Sequence, residues 1–307
     1  MTAAGLIAAH VRVPCSTSNL GAGYDTIGLA LDRYLDVTFE PGSKDGLVLE
    51  REGTLASLSE DDGPDIVATT FQDALKREGV MPHGLLRLTS AIPISRGLGS
   101  SSAAVLAGFD LARAVRGEPR ADDETFKAAL KHEGHGDNAA PSLYGGLRAV
   151  ATTADGTVVF PLELSESIGF AYAAPAMKLR THAARSALPA KVPHKVAAGS
   201  LGRVAALIRG LAEGRPELIR IGVKDELHVP YRLPMIPNAG AAMSAAIDAG
   251  AWAVTISGAG SGLIALSEPE KSVDIAEAMR LILSAGVDDP ECVGFAVCPD
   301  HEGLRRL

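Results

Sequence analysis

A glycine- and serine-rich segment between a predicted strand and a predicted helix constrains this chain more than any other feature. Residues 93–103 read Pro-Ile-Ser-Arg-Gly-Leu-Gly-Ser-Ser-Ser-Ala, and the apolar residues Val105, Phe109 and Ala112 follow on one helical face. The N-terminus of a helix presents unpaired N–H groups and the positive end of the helix dipole, which suits a phosphate. The two glycines lack a Cβ atom, which predicts a close approach of the backbone to a ligand.

The same segment is also compatible with a turn that binds nothing. Its three consecutive serines, Ser100–Ser102, are good N-cap residues for a helix without any ligand. The segment is not a Walker A loop, because the chain contains no Gly-Lys dipeptide, and it does not match Gly-x-Gly-x-x-Gly. On these residues alone, a phosphate site and a capped turn both remain open.

The composition narrows the class of protein. The chain has 307 residues, of which 47% are hydrophobic and 21% charged, as is typical of a globular protein with two domains. Its net charge of -8 and the lack of a Lys/Arg-rich run argue against a nucleic-acid partner. No apolar run approaches the ~20 residues of a membrane span. Residues 1–10 lack the pattern of a signal peptide.

The cysteines indicate a compartment. Cys15, Cys292 and Cys298 are odd in number, and their spacing matches neither a zinc knuckle nor a Cys-x-x-Cys redox pair. Sparse cysteines of this kind are typical of reduced thiols. We therefore expect a cytoplasmic protein.

Hydrophobic periodicity predicts strands and helices that alternate without long linkers, which is typical of an α+β protein. We expect a first strand at Leu6–Val13, ended by Pro14, and a pairing of Leu47–Arg51 with the extended run Ile27–Glu40. The expected domains are residues 1–164 and 165–307. Further helices are expected at residues 64–78, 122–132, 194–213, 216–224, 238–249 and 273–284, and further strands at 84–94, 146–153, 157–162, 170–175, 252–257, 262–266 and 293–298.

A second polar segment lies at residues 131–138 and reads Lys-His-Glu-Gly-His-Gly-Asp-Asn. Its histidines, His132 and His135, lack the spacing of a zinc-protease motif, and the glycines oppose the helix which that motif needs. Glu133 could supply a carboxylate to a magnesium–nucleotide site. A solvated helix end is the alternative interpretation of the same residues.

Two further segments carry polar or flexible residues beside predicted strands. In residues 14–25, Asn19 and Asp25 could hold a substrate amine, although both are also common turn residues. Residues 257–262, Ser-Gly-Ala-Gly-Ser-Gly, could form a ligand-binding turn or a tight hairpin. No Gly-x-Ser-x-Gly elbow is present, so a serine hydrolase gains no support.

The order and spacing of these four segments resemble the GHMP small-molecule kinases. Residues 93–103 are similar to the phosphate-binding Gly-Leu-Gly-Ser-Ser motif of that family, and residues 257–262 to its C-terminal glycine motif. Residues 14–25 and 133–146 resemble the homoserine kinase branch, as do Thr181–Pro189 and Pro230–Arg232. The chain departs from the usual pattern at Asp65, Gly136, Val229 and Ser261.

The resemblance implies a fold and an activity. The fold is α+β, with a left-handed βαβ unit in the N-terminal domain and a ferredoxin-like C-terminal domain. The activity is transfer of the γ-phosphoryl group of ATP, with Mg²⁺, to the side-chain hydroxyl of L-homoserine in threonine biosynthesis, by a homodimer. The alternatives are another GHMP kinase that acts on mevalonate or a sugar, and an inactive GHMP fold that senses a small molecule.

The resemblance also assigns roles to single residues. Arg185 and Arg232 are expected to bind the substrate carboxylate, and Asn19, Asp25 and Asp137 the ammonium group, with His135 lining the same pocket. Glu133 and Ser101 are expected to hold magnesium, and Asn138 and Glu133 to be the catalytic residues. The expected nucleotide-binding residues are Pro93, Ile94, Ser95, Arg96, Gly97, Leu98, Gly99, Ser100, Ser101, Ser102 and Ala103.

Overall fold

A computed structural model describes residues 5–42, 46–59, 63–285 and 291–307. The strands are β1 (Ala9–Ser18), β2 (Ile27–Pro41), β3 (Leu47–Gly53), β4 (Gly84–Ser90), β5 (Leu147–Thr153), β6 (Gly156–Pro161), β7 (Gly169–Ala174), β8 (Ala253–Ile256), β9 (Leu263–Ser267), β10 (Val293–Val297) and β11 (Arg305–Arg306). The helices are α1 (Ile66–Arg77), α2 (Ser100–Ala114), α3 (Asp122–Glu133), α4 (Ala139–Tyr144), α5 (Thr181–Ser186), α6 (His194–Glu213), α7 (Pro216–Val223), α8 (Val229–Arg232), α9 (Ala239–Asp248) and α10 (Ser272–Leu283). Within the described ranges, no helix is long and apolar enough to cross a bilayer.

The longer elements agree with the sequence-based expectation, and the short ones were not anticipated. Helices α4, α5 and α8 have six, six and four residues, and β11 has two. Segments of this length contain too few apolar positions to show a period. They matter for function, because α5 carries Arg185 and α8 carries Arg232.

The first sheet has seven strands, and its central path runs β11-β1-β2-β4-β3. The expected pairing of β3 with β2 is wrong: β3 lies parallel to β4, and β4 lies antiparallel to β2. Helix α1 connects the parallel pair, so β3, α1 and β4 form a βαβ unit. Strand β5 pairs with the start of β2 and extends into the β5–β6 hairpin.

Strand β1 does not end at Pro14, as the sequence suggested. The ladder with β2 shifts register between Pro14 and Cys15 and then continues to Ser18. A proline is tolerated at such an irregularity because it removes only one ladder donor. The continuation brings the serines at the end of β1 beside the phosphate segment, where the backbone N–H of Ser16 donates to the carbonyl oxygen of Leu98.

Helix α2 lies at the centre of the first domain. It begins directly after Gly99, which has a left-handed backbone conformation, and most of its side chains are buried on all sides. Small residues allow this burial: a Cβ atom at Gly108 would lie 2.6 Å from the carbonyl oxygen of Val67 in α1. The middle of α2 therefore packs directly against the backbone of α1.

The second sheet has the order β10-β7-β9-β8, and all its pairs are antiparallel. The succession β7, helices, β8, β9, α10, β10 is that of a ferredoxin-like unit. Phe170 and Tyr172 of β7 join the hydrophobic cluster shared with the first domain, whereas Ala171 and Ala173 join the cluster under α9 and α10. This alternation buries both faces of the strand and joins the domains through one core.

The chain returns to the first sheet after completing the second. In β11, Arg305 and Arg306 pair with β1, on the edge opposite β3. The guanidinium of Arg306 donates to both carboxylate oxygens of Asp110 in α2, at 2.8 Å each, and Asp110 is only 1% exposed. We keep the domain division between residues 164 and 165 as a proposal. It separates the two sheets except for β11, which belongs to the first sheet but lies in the C-terminal part of the sequence.

Loss of this ion pair should destabilise the whole chain. We expect Arg306→Met to lower the free energy of unfolding by about 3 kcal/mol, because it leaves the buried carboxylate of Asp110 without its cation. Equilibrium urea denaturation would measure the change. Arg209→Met is the matched control, because Arg209 pairs with Glu213 on the exposed side of α6 and its loss should cost less than about 0.5 kcal/mol. Equal effects of the two substitutions would contradict a structural role for the β11 contact.

Candidate active site

Two adjoining cavities meet at the phosphate segment. The larger has a volume of about 430 Å³ and lies between α1, the end of β4 and residues 178–180, whereas the smaller has about 90 Å³. They share Ser95, Ser100 and Ser101. The smaller cavity is lined by Asn19, Ser95, Gly97, Gly99, Ser100, Ser101, Ser102, Glu133, His135, Asn138, Leu179, Thr181, Arg185, Arg232, Ala259 and Gly260.

The glycines of the phosphate segment allow close contacts with other parts of the protein, which the sequence did not indicate. Gly97 has a φ of 79°, and a Cβ atom there would collide with the carbonyl oxygen of Ser257. A Cβ atom at Gly99, with a φ of 62°, would lie 2.5 Å from Oγ of Ser16 and 2.9 Å from Oδ1 of Asn138. These glycines are therefore required for close contact with protein atoms, in addition to any contact with a ligand.

The structure separates the expected nucleotide-binding residues into two groups. Seven of them line one or both cavities: Ile94, Ser95, Gly97, Gly99, Ser100, Ser101 and Ser102. The other four, Pro93, Arg96, Leu98 and Ala103, line neither cavity. The guanidinium of Arg96 instead donates to the carbonyl oxygens of Glu291 and Ala176 and is largely buried.

Glu133, at the end of α3, places an acidic group against the serines of the phosphate segment. Its Oε1 accepts a hydrogen bond of 3.3 Å from Oγ of Ser102, and Ser101 lines both cavities next to it. The sequence predicted Glu133 and Ser101 as the metal ligands. In the structure, the hydroxyl in direct contact with Glu133 is that of the next residue, Ser102. A carboxylate together with hydroxyl oxygens is a donor set that suits Mg²⁺.

Asp25 and Arg185 form a bidentate ion pair beside the smaller cavity. The two guanidinium nitrogens of Arg185 lie 2.7 and 3.0 Å from the carboxylate oxygens of Asp25. Asn19 holds the loop in place, because its Oδ1 accepts from the backbone N–H of Asp25 and its Nδ2 donates to the carbonyl oxygen of Gly258. Burial lowers the pKa of Arg185, but the hydrogen bond and charge of Asp25 raise it further, so it lies above its ordinary value.

Arg232 is the second arginine of this cavity and is 1% exposed. Its guanidinium lies over the ring of Tyr24, 5.3 Å from the centroid, and donates to the carbonyl oxygen of Gly258. His228, which sequence reasoning did not single out, stacks on Tyr24, and the centroids of the two rings lie 5.0 Å apart. Burial lowers the pKa of His228.

A neutral His228 explains how Arg232 is held. Nε2 of His228 lies 3.1 Å from the carbonyl oxygen of Gly21 and must donate to it, which leaves Nδ1 as an acceptor 3.5 Å from Nη1 of Arg232. Asp225 accepts from the backbone N–H groups of His228 and Val229 and so fixes the start of α8. The sequence signal for this arrangement was an Asp and a His shortly before Pro-Tyr-Arg.

His135 and Asp137 form a buried pair at the edge of the smaller cavity. Nδ1 of His135 lies 2.5 Å from Oδ1 of Asp137, which is fully buried, and Nε2 of His135 lies 3.8 Å from Glu133. Asp137 was expected to contact the substrate ammonium group, but it lies behind His135 and does not line the cavity. Asp25 is close enough to share an ion with both, yet its carboxylate is already taken by Arg185.

Asn138 is held by two hydroxyl groups of β1 that sequence reasoning missed. Its Nδ2 donates to Oγ of Ser18 at 2.8 Å, and its Oδ1 accepts from Oγ of Ser16 at 3.1 Å. These two bonds hold the amide in place at the wall of the cavity, next to Gly99. Ser16 and Ser18 alternate along a strand, a pattern that could have indicated a common face.

Comparison with known proteins identifies the family. Residues 65–146 match the GHMP kinases N terminal domain, and residues 207–283 match GHMP kinases C terminal. The homoserine kinase of Microchaete diplosiphon is 35% identical over 271 residues, which cover 88% of each chain. That of Synechococcus sp. (strain RCC307) is 39% identical over 278 residues, covering 88% of this chain and 87% of the relative. The chain belongs to the GHMP kinases.

The fold agrees with this family. The crystal structure of homoserine kinase from Cytophaga hutchinsonii has a TM-score of 0.83 and 26% identity and covers 98% of this chain and 97% of its own. Mevalonate kinase of L. major, at 16% identity and a TM-score of 0.67, shows the fold alone. The resemblance expected from four short segments is confirmed, and this GHMP kinase has relatives named homoserine kinase over most of its length.

The His135–Asp137 pair should make stability depend on pH. Burial lowers the pKa of His135, but the hydrogen bond and charge of Asp137 raise it above its ordinary value. A histidine with a raised pKa gives stability that is complete below its unfolded-state pKa of about 6.5 and lost as the pH rises through the folded-state pKa. Burial raises the pKa of Asp137, yet His135 brings it below the ordinary value, so the carboxyl changes charge only at much lower pH.

We therefore expect the stability difference between the chain and His135→Gln to be larger at about pH 6 than at about pH 9. Urea denaturation across this range would measure it. The matched control is His132→Gln, on the exposed side of α3. Glu133 and Arg185 also act on His135, so measurements at two salt concentrations test how much these partly exposed charges contribute beside the buried pair. A difference that does not change with pH would contradict the ion pair.

Proposed function

We propose that this chain transfers the γ-phosphoryl group of ATP to the side-chain hydroxyl of L-homoserine and forms O-phospho-L-homoserine, a step of threonine biosynthesis. The observation that carries the proposal is the smaller cavity, in which Arg185 and Arg232 meet the phosphate segment within about 90 Å³. Guanidinium groups suit a carboxylate, and the phosphate segment suits the nucleotide, so the two substrates would meet there. The homoserine kinases similar over 88% of the chain support the same substrate.

The charges around the smaller cavity match a zwitterion. Arg232 and Arg185 are the carboxylate-binding residues, and Asp25 with Asn19 is the ammonium-binding pair. In the structure Asp25 and Arg185 satisfy one another, so both are already oriented before substrate binds. An amino acid can enter this pair without leaving a charge unpaired, because its carboxylate replaces Asp25 and its ammonium replaces Arg185. A substrate with one charge cannot do so.

We propose that the larger cavity holds the nucleoside and that the serines shared by both cavities contact the triphosphate. Magnesium fits the oxygen donors at the junction, so Glu133 with Ser101 or Ser102 would hold it. A bound Mg²⁺ neutralises charge on the phosphate oxygens. The residues of the chain supply positioning: α2 presents its N-terminus, and the fixed amide of Asn138 orients the acceptor hydroxyl.

We propose that no side chain acts as a general base. Asn138 is an amide and cannot accept a proton near neutral pH. Burial lowers the pKa of His135, but the charge and hydrogen bond of Asp137 raise it above its ordinary value, which favours the protonated ring and disfavours the neutral ring that a general base needs. Asp137 lies behind that ring and orients it. The hydroxyl proton would pass late to the transferring phosphoryl oxygens, as a loose transition state permits.

We further propose a cytoplasmic homodimer. The three cysteines form no disulfide with one another, which agrees with a reducing compartment. Sedimentation equilibrium over a range of concentrations tests the dimer, and a single monomeric species would contradict it.

The substrate proposal predicts a specific ranking of acceptors. We expect L-homoserine to exceed 4-hydroxybutyrate, which lacks the ammonium group, by at least about a hundredfold in kcat/KM, because that acid leaves Asp25 unpaired. L-serine, one methylene shorter, should react poorly because its hydroxyl falls short of the phosphate. A coupled assay of ADP release measures all three. Faster turnover of mevalonate or galactose would identify another GHMP kinase, and binding without turnover of any acceptor would indicate a sensor.

The carboxylate site predicts a separation of the two substrates. We expect Arg232→Lys to lower kcat/KM for homoserine by at least about tenfold and to leave the KM for ATP nearly unchanged, because an ammonium cannot replace a planar two-pronged donor. Arg209→Lys, on an exposed face of α6, is the matched control. An equal loss toward both substrates would mean general damage.

A further inference from the structure

The phosphate segment lacks a cation for the nucleotide it is proposed to bind. Arg96 is the one basic residue in residues 93–103, and its guanidinium faces away, bonded to the carbonyl oxygens of Ala176 and Glu291. The N–H groups at the start of α2 offer only partial charges. A triphosphate carries several full negative charges, and magnesium neutralises only part of them. Side chains from elsewhere in the chain must balance the rest.

The connector of residues 175–180, between β7 and α5, is fixed against the phosphate segment. Nη2 of Arg96 donates to the carbonyl oxygen of Ala176 at 3.1 Å. The backbone N–H of Leu179 donates to the carbonyl oxygen of Ser95 at 3.0 Å. The hydroxyl of Ser261 donates to the carbonyl oxygen of Met177. Arg96 therefore acts as a positioning residue that holds this connector beside the nucleotide cavity.

Two cations of the connector face that cavity. Lys178 and Arg180 both line it, and both are exposed, while Leu179 between them is buried. Arg180 has an extended backbone, with φ −73° and ψ 136°, and alternate residues of extended chain share one side. The fixed Leu179 thus aims both neighbours toward the cavity from the second domain.

The charge balance of the cavity leaves these two cations available. The remaining basic residue of the lining, Arg51, is paired through Nε with the carboxylate of Asp65 at 3.0 Å. Asp65 also accepts from the backbone N–H of Ala68 as the N-cap of α1. Among the described residues, Lys178 and Arg180 have no carboxylate partner within ion-pair distance. The described lining of the cavity therefore carries an excess of positive charge.

We propose that Lys178 and Arg180 bind the phosphates of the nucleotide, so that the second domain supplies the charge that the phosphate segment lacks. The proposal rests on the proposed function, because it assumes that ATP occupies this cavity. The motif of residues 93–103 does not itself indicate that Lys178 and Arg180 take part in nucleotide binding. Both side chains are exposed, and each carries its charge at the end of a flexible aliphatic stem. Neutralising them should therefore not disturb the fold.

The test compares ligands with and without phosphate. In Lys178→Gln and Arg180→Gln, we expect the affinity for ADP, measured by calorimetry with Mg²⁺, to fall by about tenfold each. Adenosine has no phosphate, so its affinity for each variant should lie within about twofold of its affinity for the unchanged chain. Because adenosine binds weakly, its affinity would be measured by competition with a fluorescent adenine analogue. The dependence of ADP affinity on salt should also become weaker in each variant, because one ion contact is lost.

Further variants keep the outcome decisive. Lys178→Arg and Arg180→Lys should retain most of the ADP affinity, since either cation can neutralise a phosphate. Lys127→Gln, on an exposed face of α3, is the matched control. An unchanged affinity for ADP in both Gln variants would overturn this proposal alone, and an equal loss of ADP and adenosine would reduce the residues to a structural role and overturn it also. Failure of the unchanged chain to bind ADP would overturn the proposed function itself.

Discussion

The active site depends on backbone contact between the phosphate segment and the glycine turn of the second domain. Oγ of Ser257 donates to the carbonyl oxygen of Gly97, and the N–H of Gly262 donates to that of Arg96. Tyr172 of β7 also donates to the carbonyl oxygen of Arg96, at 2.6 Å. Side chains at Gly97 or Gly262 would occupy the space of these atoms. These contacts to backbone carbonyl oxygens hold the two halves of the site in one relative position.

Electrostatic preorganisation follows from that registration. The smaller cavity contains charged groups that are costly to bury, and each has a specific partner: Arg185 has Asp25, His135 has Asp137, and Arg232 has the Tyr24 ring with neutral His228. Because these partners come from the loop after β1, the segment between α3 and α4, α5 and the start of α8, the cavity keeps its charge pattern only when both domains are in contact. The side chains of the site are thus oriented when the protein folds, and substrate binding does not have to order them.

Local sequence was sufficient for the long helices, most strands and the four segments that identify the family. It also indicated side chains that the structure brings together, since Arg185, Arg232, Glu133 and His135 all line one cavity. Local sequence was not sufficient to predict where a side chain points or which strands pair. The guanidinium of Arg96 faces away because carbonyl groups far along the chain accept its hydrogen bonds, and the pairing of β3 with β4 depends on where α1 returns. Such features are set by long-range packing, which no local pattern encodes.

Strand β11 has a consequence for the order in which the chain is made. The ribosome completes the first sheet only after the second domain has been synthesised, because Arg305 and Arg306 follow it in the sequence and pair with β1. Until then, a nascent chain carries an open edge on β1, where another strand can add, and the carboxylate of Asp110 has no cation. The edge of β1 and the carboxylate of Asp110 are therefore among the last parts of the first domain to find their partners.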